Sequence, residues 1–155
     1  MLKAAFEEMG FFEVSTYINS GNVIFSAKDP SDVDVEKLGQ YLEKTFGFPI
    51  RTLIRTAADI KKVCSVVPED WSNNKEQKTD VLFLWKGYDS KKSINLIKTD
   101  PKVDNLLYVA GSIVWHIDRR HYNQSGMNKF IGTEVYKHMT ARNINTVRKL
   151  MSLMV

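Results

Sequence analysis

Apolar positions along the first fifty residues follow two different periods. Leu2, Ala5, Phe6 and Met9 recur at steps of three and four, the stripe of an amphipathic helix, and Gly10 follows as its stop. The runs 14–18 and 23–25 are rich in Val, Ile, Tyr and Phe and flank Asn19, Ser20, Gly21 and Asn22. This reads as a β-hairpin in which Gly21 supplies a positive φ. A second helix, capped by Ser31 or Asp32, runs to Phe46 with Val35, Leu38, Leu42 and Phe46 inward, and Gly47 closes it. Pro49 then opens a strand over 50–54, and Thr56 caps a helix from Ala57 to about Val66.

Residues 68–78 are polar apart from Trp71 and form the longest predicted loop, hence the predicted boundary between halves. The continuous apolar run 81–85 predicts a strand covered on both faces. Residues 90–99 predict a short helix with Ile94 and Ile97 inward, and 106–109 with 113–117 a second hairpin around Ala110 and Gly111. Met127, Phe130, Ile131 and Val135 are spaced for a helix over 124–139. Asn145 or Thr146 opens a last helix with Val147, Leu150 and Leu153 inward.

The predicted class is therefore α+β: two ferredoxin-like lobes with mainly antiparallel sheets and packed helices. The expected division is 1–67 as an N-terminal lobe incomplete at its start, 68–78 as a linker, and 79–155 as a C-terminal lobe. A strand ahead of Met1 would complete the β-α-β-β-α-β order in the first lobe.

Composition narrows the class. The chain has 155 residues, 43% hydrophobic and 26% charged, which excludes collagen-like, low-complexity and disordered chains. No apolar run approaches the roughly 20 residues needed to cross a bilayer. Glu7 and Glu8 interrupt the apolar start in a way that a signal peptide does not tolerate. The lone Cys64 fits a reducing compartment, so a cytoplasmic protein with no membrane association is expected.

Charge is divided unevenly. Residues 1–50 carry four basic and eight acidic side chains, a balance of −4; residues 51–118 come to +2 and residues 119–155 to +6. Such a basic end suits an anionic partner. Within it, residues 140–146 hold Arg142, Asn143, Asn145 and Thr146 just ahead of a predicted helix, where amide N–H groups and the positive dipole end favour phosphate or carboxylate. The competing reading makes Asn145 a simple cap and Arg142 a tie to a C-terminal strand or carboxylate. Asn19, Ser20 and Asn22 offer neutral hydrogen-bonding groups beside a glycine, although the same residues make a good hairpin turn without a ligand.

Other chemistry finds less support. No G-x-x-x-x-G-K-[ST] loop and no G-x-G-x-x-G fingerprint occurs. His116 reads as a partly buried strand residue, His121 as part of a basic turn, and His138 as lying near a helix end. None stands at metal-ligand spacing, and neither a metal nor another cofactor is expected. Cys64 falls on the apolar side of its helix and reads as a core thiol. Arg119, Arg120 and Tyr122, with Trp71, offer a weak base-stacking pattern beside a stronger reading as solvated surface.

Two segments carry a resemblance. Residues 17–25, Y-I-N-S-G-N-V-I-F, resemble the hairpin signature of the domain-of-unknown-function 1697 family of bacterial proteins. Residues 140–150, T-A-R-N-I-N-T-V-R-K-L, are similar to that family's C-terminal signature T-x-R-N-x-N-T-x-x-K-L. Residues 82–84 and 125–129 stand where its weaker blocks are expected. Family members usually open with a strand and loop resembling A-L-L-R-G-I-N-V-G-G, and that segment is absent here. The resemblance thus implies unpaired ladder groups on the strand holding Phe25 or Leu53, and a sheet edge through which two copies pair. It implies no activity. The expected function is a binding module for an anionic ligand. An enzyme acting on a phosphorylated or carboxylated substrate and an interaction protein are the alternatives, and nucleic acid or a second copy of the chain are further candidate partners.

Overall fold

In the computed structural model residues 1–18 and 21–154 are described, and the chain divides into two compact units, Met1–Ile54 and Arg55–Leu153. The division lies ahead of the expected loop at 68–78. The helix expected at the end of the first lobe instead packs against the last helix of the chain, inside the second unit. A polar loop marks a boundary only when nothing ties it down, and here it is tied at several points, described below.

The first unit contains α1 (Leu2–Glu8), β1 (Phe12–Tyr17), β2 (Asn22–Ser26) and α2 (Val35–Phe46). Ala5, Phe6, Val14, Leu38 and Leu42 form its core. Phe6, Phe11 and Phe25 pack mutually, with ring centroids 4.5–5.9 Å apart. β1 and β2 pair antiparallel with an irregularity between Phe12 and Ser15. Glu13 there has φ +53°, and Val14 is buried between exposed neighbours.

Two expectations for this unit need correction. The helix starts at Val35 rather than after Ser31 or Asp32, because Asp29 captures the Ser31 amide and hydroxyl while the Asp34 carboxylate accepts from the Glu36 and Lys37 amides. Val35, placed in the first turn, is 41% exposed rather than inward. Among the described residues, 50–54 join neither sheet; they run as largely half-buried coil, with Ile50 and Ile54 packed on the core cluster. Apolar β-branched residues make a strand only where a ladder partner exists.

The second unit holds α3 (Ala57–Val66), β3 (Gln77–Leu84), β4 (Asn105–Val109), β5 (Ser112–Asp118), α4 (Met127–Phe130), β6 (Met139–Asn143) and α5 (Ile144–Leu153). Its four strands lie in the order β4-β5-β3-β6, every pair antiparallel. Val81, Leu82, Phe83 and Leu84 of the inner strand β3 are all buried, as the unbroken apolar run requires. Leu82, Leu84, Ile113, Trp115, Ile117 and Met139 pack on one face with Ile97, Met127 and Phe130. By strand alternation the other face carries Thr79, Val81, Phe83, Val114, His116, Thr140 and Arg142, on the side where α3 and α5 pack.

The block at 125–129 has a structural explanation. Asp104, 7% exposed, accepts four hydrogen bonds: from Trp115 Nε1 (2.8 Å), Ser125 Oγ (2.5 Å), the Gly126 amide (3.0 Å) and the Asp100 amide (2.7 Å). Burial alone would push its carboxyl up, but the four donors outweigh this and hold it below the usual carboxylate value. Gly126 is obligatory beside it, since a Cβ there would lie 1.6 Å from the Lys98 carbonyl oxygen.

The helix expected over 124–139 is broken. Only Met127–Phe130 is α-helical, Val135–His138 is a 3-10 turn, and Ile131 is 72% exposed. Residues 139–143 leave the helical path to pair along β3, whose second edge supplies the ladder bonds that a fourth helical turn would forgo. Leu153, expected inward, is 44% exposed.

Candidate anion-binding site

The segment 140–146 spans the end of β6 and the start of α5, and its polar side chains do different jobs. Asn143 Oδ1 accepts from the Thr146 amide (3.0 Å), so Asn143, not Asn145, caps the helix. Thr146 is buried. Asn145 instead reaches the 68–77 loop: its Nδ2 donates to the Asn73 carbonyl (2.7 Å) and its Oδ1 accepts from the Asn73 amide (3.3 Å) and Ser72 Oγ (3.4 Å). Arg142 is half-buried, and its Nη1 donates to Thr140 Oγ1 (3.1 Å) and the Ala141 carbonyl (2.8 Å). Of the 19–22 turn, Asn22 Nδ2 donates to the Tyr17 carbonyl in the first unit, while Asn19 and Ser20 lie outside the described residues.

Two guanidinium groups secure the same loop: Arg148, to which sequence reasoning gave no role, and Arg119, which it read only as part of a weak base-stacking pattern. Arg148 donates to the carbonyls of Trp71 (2.7 Å) and Pro68 (3.1 Å). Arg119 donates from Nε to the carbonyls of Asn74 (2.6 Å) and Gln77 (3.1 Å), and from Nη2 to Asn73 Oδ1 (3.2 Å). Trp71 lies flat on His116, ring centroids 4.3 Å apart at 7°. Tyr122 packs against the apolar cluster of the sheet.

His116 is held in one tautomer by hydrogen-bond logic. Its Nδ1 lies 2.7 Å from Thr79 Oγ1, and that hydroxyl has a carbonyl acceptor, Ser72 O, at 2.8 Å. The single hydroxyl proton goes to the carbonyl, so Nδ1 carries the ring proton and Nε2 the lone pair. Burial lowers the imidazole pKa below its ordinary value, against the opposing pull of Asp70 and Asp118. Of the other histidines, His138 stacks on Tyr88 (4.0 Å) and His121 ends the 3-10 turn Arg119–His121. Burial also pushes the Cys64 thiol up, as expected of a packed thiol.

The sheet face that carries Arg142 also receives Arg55. Phe83 and Thr140 are direct partners across β3 and β6, so their side chains share that face. The Arg55 guanidinium lies 5.8 Å from the Phe83 ring centre and donates from Nη2 to the carbonyls of Leu84 and Gly111, both at 2.9 Å. Arg142 is hydrogen-bonded to Thr140, the other half of the same rung. Two half-buried cations from distant parts of the sequence are thus addressed to one Phe83–Thr140 rung. Desolvation lowers the Arg55 pKa, a direction that Asp59 and Asp89 oppose. No spacing rule reveals Arg55, because it lies 87 residues before Arg142.

A family model described as "Protein of unknown function (DUF1697)" matches residues 1–115. The chain belongs to this family. The match includes the 17–25 hairpin and stops short of the 140–150 segment. Among solved structures, the DUF1697 chain is similar to a conserved bacterial protein, SP0830 from Streptococcus pneumoniae, at 24% identity and a TM-score of 0.77. The likeness covers 99% of this chain and 86% of that one, and it establishes the fold. No curated protein matches the chain. Among the described residues of this DUF1697 protein, no group of three or more His, Cys, Asp or Glu gathers to hold a metal, and no helix is long and apolar enough to cross a membrane.

Proposed function

We infer that this DUF1697 protein is a binding module for an anionic ligand, held at the Phe83–Thr140 rung by Arg55 and Arg142. The observation that carries the reading is the convergence of two half-buried guanidinium groups on that rung, each already oriented by backbone carbonyls. Cations held in place on a partly desolvated surface attract an anion more strongly than mobile surface lysines do. Asn143, Asn145 and Thr146 act as supports: they fix the start of α5 and the neighbouring loop instead of reaching the ligand. The +6 balance of residues 119–155 adds a long-range term of the same sign. The single cysteine supports a reducing, cytoplasmic location, and the succession of strands in the second unit supports a ferredoxin-like reading of that unit.

The test is a titration with inorganic phosphate followed residue by residue in 15N NMR spectra. Amides of 140–146 are expected to shift saturably. Arg142→Ala should weaken binding at those amides by about 1.5–3 kcal/mol, the scale of a charge-assisted hydrogen bond, and Arg55→Ala should do likewise. If both variants melt earlier but keep the wild-type affinity, the guanidinium groups are structural ties and the reading fails.

A further inference from the structure

A second polar feature lies apart from the Arg142 rung. The turn at 74–77 and the turn at 118–121 enclose a cavity of about 400 Å³ lined by Lys75, Glu76, Asp118, Arg119 and Arg120. Its walls are set by backbone and side-chain bonds. The Arg119 amide donates to the Glu76 carbonyl (2.8 Å), Gln77 and Asp118 are ladder partners, and Asn74 Oδ1 accepts from the Glu76 and Gln77 amides.

The charges in this cavity do not cancel. Asp118 is consumed by Arg120, which grips both carboxylate oxygens at 2.6–3.1 Å and holds that carboxyl at about 2. Arg119 donates to three neutral oxygens, and among the described residues no carboxylate lies within 4 Å of Arg119 or Lys75. That leaves two cations facing the one remaining carboxylate, Glu76. A guanidinium locked by its Nε and Nη2 edge presents a fixed donor at Nη1, and Lys75 is an exposed, adjustable cation beside it.

We propose that this cavity is a separate binding site for a small oxyanion of the phosphate class, with Arg119 as the fixed cation, Lys75 as the closing one, and Glu76 as a repulsive wall that limits affinity. The site shares no residue with the Arg142 rung. Its occupancy therefore stands or falls independently of the function proposed above.

The experiment is the same phosphate titration, read at the amides of Lys75, Glu76, Arg119 and Arg120 and repeated with sodium chloride at matched ionic strength. Saturable shifts with phosphate that chloride does not reproduce are expected. Lys75→Gln should weaken binding at these amides about two- to fivefold, and Glu76→Gln should tighten it by a similar factor, the scale of a single exposed charge. Both side chains are exposed, so neither variant endangers the fold. Arg142→Ala should leave this Kd unchanged. Identical shifts with chloride, shifts that never saturate, or weaker binding in Glu76→Gln would each overturn the proposal; the last would show that Glu76 helps to hold the anion instead of repelling it. Loss of these shifts in Arg142→Ala would also overturn it, because one site would then account for both sets.

Discussion

The two units solve the problem of holding a sheet in opposite ways. In the first, two strands are covered by an aromatic trio and two helices, and the hydrogen bonds that Asp34 accepts at the start of α2 and that Tyr41 donates to Glu8 are exposed. In the second, a four-stranded sheet is buried on both faces of its inner strand, and polar side chains tie loops to it at defined points: Asp104 below, Asn145, Arg119 and Arg148 at the 68–77 loop. The difference teaches where recognition chemistry can sit. A polar group keeps a set position only when the backbone beneath it is fixed by a ladder, and Arg55, Arg119 and Arg142 each stand on, or are bonded to, the second sheet.

The sharpest way to break this contrast is to attack the buried carboxylate. Gly126→Ala should cost more than about 4 kcal/mol, because the added Cβ meets a backbone oxygen that cannot rotate away. Asp104→Ala should cost about 3 kcal/mol or more by stranding an indole N–H, a hydroxyl and two amides. Denaturant midpoints at neutral pH measure both. A midpoint unchanged in either variant would mean that the second unit does not depend on polar ties. Since the Asp104 carboxyl is depressed in the folded state, its contribution is present above the ordinary value of 3.8 and disappears as pH falls through the lower folded value.

The matching attack on the first unit is apolar. Phe6→Ala removes a ring that is 3% exposed and touches both Phe11 and Phe25, and about 3–4 kcal/mol should be lost. Phe6→Leu should recover most of it. A polar dependence as strong as that of Asp104 anywhere in this unit would erase the distinction.

A smaller effect concerns His116. Its folded pKa lies below 6.5, so the unfolded chain takes up the proton first as pH falls. Stability should be full above about pH 6.5 and decline as pH drops from there toward the folded value. An NMR titration of the ring should give a midpoint below 6.5, and Trp71→Ala, by opening the stacked face to water, should raise it. A wild-type midpoint at or above 6.5 would contradict the burial argument.

The smallest change expected is at Ile18, a β-branched residue with φ +56° and 52% exposure. Ile18→Asn should stabilise the protein by about 0.5–1 kcal/mol, since Asn accepts the left-handed region more readily and little apolar burial is lost. A lower Tm in this variant would show that the Ile18 side chain does more than its exposure suggests.

How far the sequence could be read varied by element. Strand β3 was legible because a short unbroken apolar run after a polar loop fits burial on both faces, and α3 because Thr56 supplies its cap; the structure adds Asp59 as the reciprocal partner. Strand β6 was not. Met139, Thr140, Ala141 and Arg142 alternate over only four positions, at the end of a stretch spaced for a helix, and they become a strand because β3 has an edge to offer. The region 50–54 failed the other way, with strand-forming residues that join neither sheet among the described residues. At the candidate site the concentration of polar groups in 140–146 was visible, but not their roles. Asn145 and Asn143 exchange the expected parts because the Asn73 backbone comes within reach of one and the α5 amides of the other.

By itself, then, the amino-acid order determined what depends on neighbours in sequence: the stripe of α1, the Thr56 cap of α3, the second hairpin at Ala110 and Gly111, the charge gradient, and the α+β class that follows from them. Tertiary structure alone decided which edges were paired, which polar side chains were spent on loops, and that Arg55 and Arg142 lie against the two halves of one rung. The reason is physical. Local preferences act over a few residues through backbone geometry and periodicity, whereas a hydrogen bond between groups 70 or 80 residues apart, such as those from Asn145 and Arg148 to the 68–77 loop, exists only after the sheet has placed both partners.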